Sequence, residues 1–438
     1  MRSSPALDAP RAEPVEVGLV PSQAPITLMT GGSLGDVLPL VAIGRGLRAA
    51  GRRVRLAGSR TFAPLAEASD LEFVDLQSGD PVRLKTAEAS QGTSRFHIAL
   101  RMLQKQPPTP ASLLHHFESC RGSAAIVVTT ISGQLSHIAE ALGIPAFYAA
   151  LHPLYPTRDF PSPHAPAEFM KIPSFPSVNR FSHFAVEAIS WELDRKWVDP
   201  WRRAMGLGPA VEHGVFDYLR ARKNRILFGF SPSVVPRPAD WPDDLAITGY
   251  WIREPAPWTP PLALARFLEG GDPPVFIGFG STMDAHPAGL ERTLAEGVRA
   301  TGRRAIVGRA YLRFAGIKPD SKLHIIDEAP YAWLYPRVAA AVHHAGAGTC
   351  AEAVRAGIPS VVIPFAAEQR FWADRLAKLG VAPAVIPRAK LNADRLSSAI
   401  ELAVSDATIR RRSDTLGRRV RTENGVARAV EIILEGIG

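Results

Sequence analysis

His343-His344-Ala345-Gly346-Ala347-Gly348-Thr349, together with the residues from there to Gln369, decides how this chain folds. The apolar run Val338 to Val342 precedes it and reads as a buried strand. Cys350 to Ala356 comes next and reads as a helix closed by Gly357. Two histidines and two glycines therefore sit where a strand hands over to a helix. A helix N-terminus offers unpaired N–H groups and a partial positive charge, which together suit an anion such as a phosphate. Gly346 and Gly348 lack a Cβ, so a ligand can come close to the backbone, and a histidine adds a side-chain donor. A second apolar strand is expected over Pro359 to Ile363. Glu368 and Gln369 lie just beyond its end, where open α/β sheets place their ligands. A carboxylate beside an amide suits several sugar hydroxyls. Adjacent residues of an extended segment point opposite ways, so one histidine faces the anion and the other packs inward, and the two do not share a metal.

This arrangement resembles the nucleotide-sugar signature of the family 1 glycosyltransferases, which have the GT-B fold. It is most similar to the bacterial and fungal sterol-glucosyltransferase-like branch, with its HHGGAGT-type motif and a later acid-Gln pair. The resemblance implies that His344, Gly346, Gly348 and Thr349 hold the donor diphosphate, that Glu352 meets the ribose hydroxyls, and that Glu368 and Gln369 bind the donor sugar. Read without it, Glu352 is equally a surface helix acid. Two positions depart from the family pattern: Ala345, where Gly is usual, is a mild change, and Glu368, where Asp is commoner, leaves the sugar open.

The chain has 438 residues, 46% of them apolar, which is enough for two domains with a sizeable core. Lys and Arg number 51 against 42 Asp and Glu, a formal charge of +9. No nucleic-acid reader motif accompanies that charge; it suits an anionic donor and leaves peripheral contact with a membrane as an option. The two cysteines, Cys120 and Cys350, fit a reducing compartment rather than a disulfide framework. No apolar run reaches the roughly 18 residues a membrane helix needs, and 1–24 reads as a disordered lead without a signal-peptide core, so a cytoplasmic protein is expected.

From residue 25 the chain alternates strands and helices. Ile26 to Thr30 is a strand, Gly31-Gly32-Ser33-Leu34-Gly35-Asp36 its exit turn, Val37 to Ala50 a helix and Arg53 to Ala57 the next strand. A dinucleotide fingerprint fails here: Ser33 stands at the second-glycine position, and no acid ends the second strand. Asp36 has two readings, a helix-terminal acid favourable to the dipole and a carboxylate at the ligand crevice. Similar GSRGD-type turns carry the residue taken as the catalytic base, which assigns that role to Asp36 by resemblance, with Leu34 in place of the usual Arg. Gly31 to Gly35 also fits G-x-S-x-G, a nucleophile elbow on Ser33, although such elbows usually come after several strands. Strands are expected over Leu71 to Leu76, Ala124 to Thr129, Ile144 to Ala150 and Arg225 to Phe230. The Pro- and aromatic-rich loop from Leu151 to Ser177 supplies His152, Tyr155 and Phe160 as candidates for an apolar acceptor pocket. Residues 232–258 read as Pro- and Trp-rich connection, and 253–261 as a stiff linker.

The rhythm restarts at Pro274 to Phe279, whose exit turn holds Ser281 and Thr282, either diphosphate donors or a plain turn. Trp333 either stacks on a base or belongs to the core. Ala382 to Ile386 is expected as a strand and Ala407 to Leu434 as one terminal helix. The expectation is two Rossmann-like α/β domains facing each other across a cleft, 25–252 for the acceptor and 262–438 for the nucleotide sugar, with the last helix packing back on the first domain. No D-x-D occurs anywhere, so the helix N-terminus and His344 would neutralise the leaving diphosphate without a metal. The resemblance implies inverting transfer of a hexose, glucose from UDP-glucose before others, to a sterol, a polyketide or macrolide, or a phenol. The donor is a co-substrate and no cofactor is expected. A GT-B isomerase or phosphorylase and a silent binding protein on the same fold are the alternatives.

Overall fold

The computed structural model describes residues 24–77, 110–130, 135–166, 175–254, 257–279, 289–308, 319–365 and 367–437. Two parallel sheets organise them. The first contains β1 (Ile26–Met29), β2 (Val54–Gly58), β3 (Glu72–Asp75), β4 (Ala125–Thr129), β5 (Ala146–Ala150), β6 (Arg225–Phe228) and β7 (Leu245–Ile247) in the order β3-β2-β1-β4-β5-β6-β7. The second contains β8 (Val275–Ile277), β9 (Ala305–Gly308), β10 (Leu323–Ile326), β11 (Ala340–His343) and β12 (Ser360–Val362) in the order β10-β9-β8-β11-β12. Both run outward from their first strand in one direction and then resume on its other side. The first order reverses between β1 and β4, where Leu28 pairs with Val127. The second reverses between β8 and β11, where Val342 pairs with Ile277. β1, β4 and β11 are buried along their whole length, as expected of parallel strands covered on both faces.

The strand and helix rhythm read from the sequence is present, and the two sheets show the α/β architecture. Several boundaries differ. β7 is an additional strand; its three residues lie on the sheet edge inside a proline-rich stretch. The helices Val215–Ala221 and Leu262–Glu269 are also additional. The expected strand 382–386 is reduced to one bridge, Val362 to Val385, because Pro383 has no N–H to give a ladder. The expected single terminal helix is two, Ala407–Arg421 and Gly425–Glu435, and the Asn424 side chain caps the second by accepting from Ala427 N. That last helix packs on Leu34–Ala49 of the first unit so closely that a Cβ on Gly46 would meet Val430 Cγ2 at 2.8 Å.

The long helix Pro176–Ala204 is inverted in its first half. Its inward residues Asn179, Ser182 and His183 are polar and buried, while Phe181, Phe184 and Ile189 face outward. The inward side chains hold the backbone of the 151–162 loop: Asn179 Nδ2 donates to Arg158 O, Ser162 N donates to Ser182 Oγ, and the His183 ring bonds Leu154 O and Phe160 O. A proline-rich loop cannot pair its own backbone in a ladder, so its carbonyls need such partners. No helix among the described residues is long and apolar enough to cross a membrane.

Candidate active site

The glycine-rich motif occupies the switch point of the second sheet. His343 closes β11 and is fully buried. Its Nδ1 accepts from Ala345 N at 3.1 Å. Burial, then the neighbouring His344, pushes its pKa down to about 3, so it is a neutral strut rather than a ligand for an anion. That hydrogen bond accompanies a left-handed Ala345, φ 64°. The residue that replaces the usual glycine therefore carries a Cβ in a region where left-handed backbone costs about 1–2 kcal/mol.

Gly346 caps the helix Ala347–Ala356 with φ −64° and ψ 147°, a conformation open to any residue. Its requirement is space: a Cβ there would run into His344 Nε2. The His344 ring thus lies across the helix start and is nearly buried at 6% exposure. Cys350 N makes the first helical bond, to Gly346 O, so the N–H groups before it face out of the helix end. A Cβ on Gly348 would meet no described residue within 4 Å. An open helix terminus beside an imidazole has the geometry that suits an anion. Glu352 is half-buried one turn further on. Burial first, and Glu254 as a further cause, raise its carboxyl to about 7 against the pull of Arg355.

Gln369 is buried, and its Oε1 accepts from Phe365 N at 2.9 Å. The amide is therefore anchored to the turn that leaves β12. Glu368 is half-buried in the first turn of the helix Ala367–Lys378. Trp333 packs edge-on to Trp258 at 4.8 Å between centroids, and the Arg337 guanidinium lies 4.2 Å over its ring. Both contacts favour the core reading over stacking on a base. Ser281 and Thr282 lie outside the described residues.

On the facing sheet, the turn after β1 brings Asp36 to the other switch point. Ser33 is the N-cap of Leu34–Ala49. Asp36 Oδ2 accepts from Ser33 N at 2.7 Å and from Ser33 Oγ at 3.0 Å. The carboxylate caps the helix at the exit of β1, beside the switch point where open α/β sheets take their ligands, so the two readings of Asp36 are compatible. Ser33 spends its hydroxyl on that carboxylate instead of on the base a nucleophile elbow requires, which removes the nucleophile-elbow reading.

The loop candidates divide. Tyr155 turns into the first unit: its ring meets Phe216 and Trp241, and its hydroxyl accepts from Arg220. Phe160 meets Phe371 at 5.3 Å between centroids. The two rings share a cleft of about 240 Å³ with Val235, Pro236, Asp374 and Arg375. His152 Nδ1 accepts from Trp372 Nε1 at 3.0 Å. The helix Ala367–Lys378 thus touches the 151–162 loop through Phe371 and Trp372, a contact that helical periodicity alone does not reveal. The sequence does carry a signal for it: two adjacent aromatics stand one residue after the Glu368-Gln369 pair.

A profile of the glycosyltransferase family 28 N-terminal domain matches residues 26–161, and one of the erythromycin biosynthesis protein CIII-like C-terminal domain matches 316–432. O-mycaminosyltylonolide 6-deoxyallosyltransferase of Streptomyces fradiae is 36% identical over 423 residues, which cover 94% of this chain and 97% of that protein. The chain belongs to family 1 of the GT-B glycosyltransferases. A second member of that family, the sterol 3-beta-glucosyltransferase of Neosartorya fischeri, is 34% identical over 98% of this chain. This chain spans only 30% of that fungal relative's length. Solved glycosyltransferases share the fold. The glycotransferase of kitacinnamycin superposes with a TM-score of 0.70 at 18% identity, covering 95% of this chain and all of that one. The glycosyltransferase VinC in complex with DTDP does so with 0.66 at 17% identity, covering 94% and 99%.

Proposed function

We propose that the chain transfers a hexose, glucose from UDP-glucose before other donors, to a hydroxyl of a lipophilic acceptor, with inversion at the anomeric carbon. The observation that carries this reading is the pairing of two switch points, a carboxylate at the first and an anion site at the second. The acceptor oxygen attacks the anomeric carbon while its proton passes to Asp36. The bond from that carbon to the diphosphate oxygen breaks, and the diphosphate leaves with the electron pair. His344 and the N–H groups of Gly348 and Thr349 meet the developing charge, an electrostatic role that asks for no metal. Ser281 and Thr282 add donors to the diphosphate, Glu352 takes the ribose, and Glu368 and Gln369 orient the sugar.

An apolar acceptor suits the surroundings of Asp36. Leu34, on the same helix turn, is 41% exposed, and away from Asp36 the loop ring Phe160 lies against Phe371 of the helix Ala367–Lys378. A sterol, a macrolide or polyketide, and a phenol are the classes this reading includes. Cys120 and Cys350 are free and buried, in keeping with a reducing, cytoplasmic setting. Peripheral contact with a membrane belongs to the same reading: its surface is the outward row Phe181, Phe184 and Ile189, with the Arg180 guanidinium over Phe184. The test is a screen of UDP- and dTDP-hexoses against sterols, macrolides and phenols in excess EDTA, read by mass spectrometry. A hexosylated product from one such pair is expected. Turnover that vanishes in EDTA and returns with magnesium or manganese would overturn the metal-independent mechanism.

A further inference from the structure

Trp372 is fully buried on the helix that begins with the sugar-binding pair, yet its indole N–H is spent on the other unit. Its Nε1 donates to Nδ1 of His152, 3.0 Å away, on the loop that leaves β5. An indole nitrogen only donates, so the histidine nitrogen facing it must carry a lone pair. A neutral imidazole with Nδ1 as acceptor has its proton on Nε2. That Nε2 makes no hydrogen bond with any described residue. The other rings against His152 are Trp372 itself and His164, whose centroid is 5.6 Å away. Burial, then His164, pushes the His152 pKa down to about 3, so the neutral form persists through the working range. His152 is one of the loop candidates for contact with the acceptor. With Nδ1 occupied and Nε2 protonated, it has no free lone pair and can act toward a ligand only as a donor.

Resting on the glycosyltransferase reading, we propose that Trp372 is a positioning residue that fixes His152 as an Nε2–H donor, and that this donor reads an oxygen of the acceptor. The acceptor then carries a hydrogen-bond-accepting oxygen, whether hydroxyl, ether or carbonyl, near the hydroxyl that reacts. The same bond ties the helix that binds the donor sugar to the loop that meets the acceptor, so the donor is gripped by a helix already registered against the acceptor side.

The first measurement needs no acceptor. Nitrogen-15 histidine spectra of the full chain should show His152 with a protonated Nε2 and an unprotonated Nδ1, unchanged from pH 8 down to pH 5. The opposite tautomer, or protonation of His152 within that window, overturns the proposal and leaves the glycosyltransferase reading intact. The second is a cycle of Trp372→Phe and His152→Gln, assayed with whichever acceptor the screen turns over. Gln keeps an N–H donor near the place of Nε2 but has no tautomer to fix. Trp372→Phe should raise the acceptor KM about 5- to 30-fold in the His152 background, with UDP affinity within about twofold. Added to His152→Gln, it should cost about twofold or less. An equal loss in both backgrounds makes Trp372 a packing residue only and overturns the proposal. If Trp372→Phe does not fold, the wild-type spectra and the KM of His152→Leu against His152→Gln decide, the former being expected to lose binding that the latter keeps.

Discussion

Gly346→Ala isolates the contribution of one imidazole. The backbone at Gly346 has φ −64°, so alanine is not strained there. What the new Cβ meets is His344 Nε2, the far end of a side chain, closer than the two atoms can stand. The ring must swing out, and the helix start need not move. The stability change should be that of glycine to alanine at an N-cap, at most about 1 kcal/mol. Binding should change by more. A hydrogen bond from a side chain to a charged phosphate contributes about 1.5–3 kcal/mol, which corresponds to a loss of about 10- to 150-fold in UDP affinity. Titration calorimetry with UDP, beside a thermal melt, measures both. Gly348→Ala is the companion: its Cβ meets no described residue within 4 Å, so it should not cost stability, and a loss of UDP affinity there would come from the ligand side. If Gly346→Ala keeps UDP affinity within about twofold while remaining folded, well short of that loss, His344 does not hold the diphosphate.

The strained position next to it gives a stability prediction. Ala345→Gly should move ΔG by less than about 1 kcal/mol, because relief of left-handed strain is offset by backbone entropy and a lost buried methyl. Ala345→Val should cost about 2 kcal/mol or more by urea denaturation, and a neutral valine would contradict the φ of 64°. Glu352 predicts a pH dependence. A carboxyl raised to about 7 in the folded chain favours folding fully below its unfolded value, about 4.3, and loses that contribution as pH rises through 7. Melting temperatures of Glu352→Gln should therefore rise relative to wild type between about pH 4.5 and about pH 7.5, and a constant gap would refute the shift. For Gln369→Ala, binding of the intact sugar nucleotide should weaken while UDP binding changes little; calorimetry showing equal losses would remove Gln369 from the sugar.

Much of the fold was legible because parallel strands are buried on both faces and so appear as continuous apolar runs, as in Ile26–Met29 and Ala340–His343. The glycine turns after them announced both switch points. Less legible were elements whose existence depends on neighbours. β7 is three residues that pair only because β6 lies beside them. The break before Gly425 depends on an asparagine cap that a long helical pattern hides. The polar inward face of Pro176–Ala204 is explained by loop carbonyls far along the chain. At the candidate site, the resemblance singled out Asp36, His344 and Gln369, and each lies in the turn or first helical turn that follows a strand. It did not reveal that Tyr155 turns into the first unit, or that Trp372 reaches His152 across 220 residues of chain.

The central claim is that Asp36 takes the proton of an acceptor hydroxyl, and Asp36→Asn tests it most directly. Asn keeps an oxygen that can accept from Ser33 N and Ser33 Oγ, the two bonds Asp36 Oδ2 now receives, so the helix cap survives the change. What disappears is the basic carboxylate, and general-base catalysis is typically worth a factor of about 10² to 10⁴. The measurement is turnover of UDP-glucose with the best acceptor from the screen, beside UDP affinity and the melting temperature. The account predicts both of the latter near wild type and turnover lower by at least about two orders of magnitude. A folded Asp36→Asn protein that keeps more than about a tenth of wild-type turnover, well above that loss, would make Asp36 a helix cap alone and contradict the account.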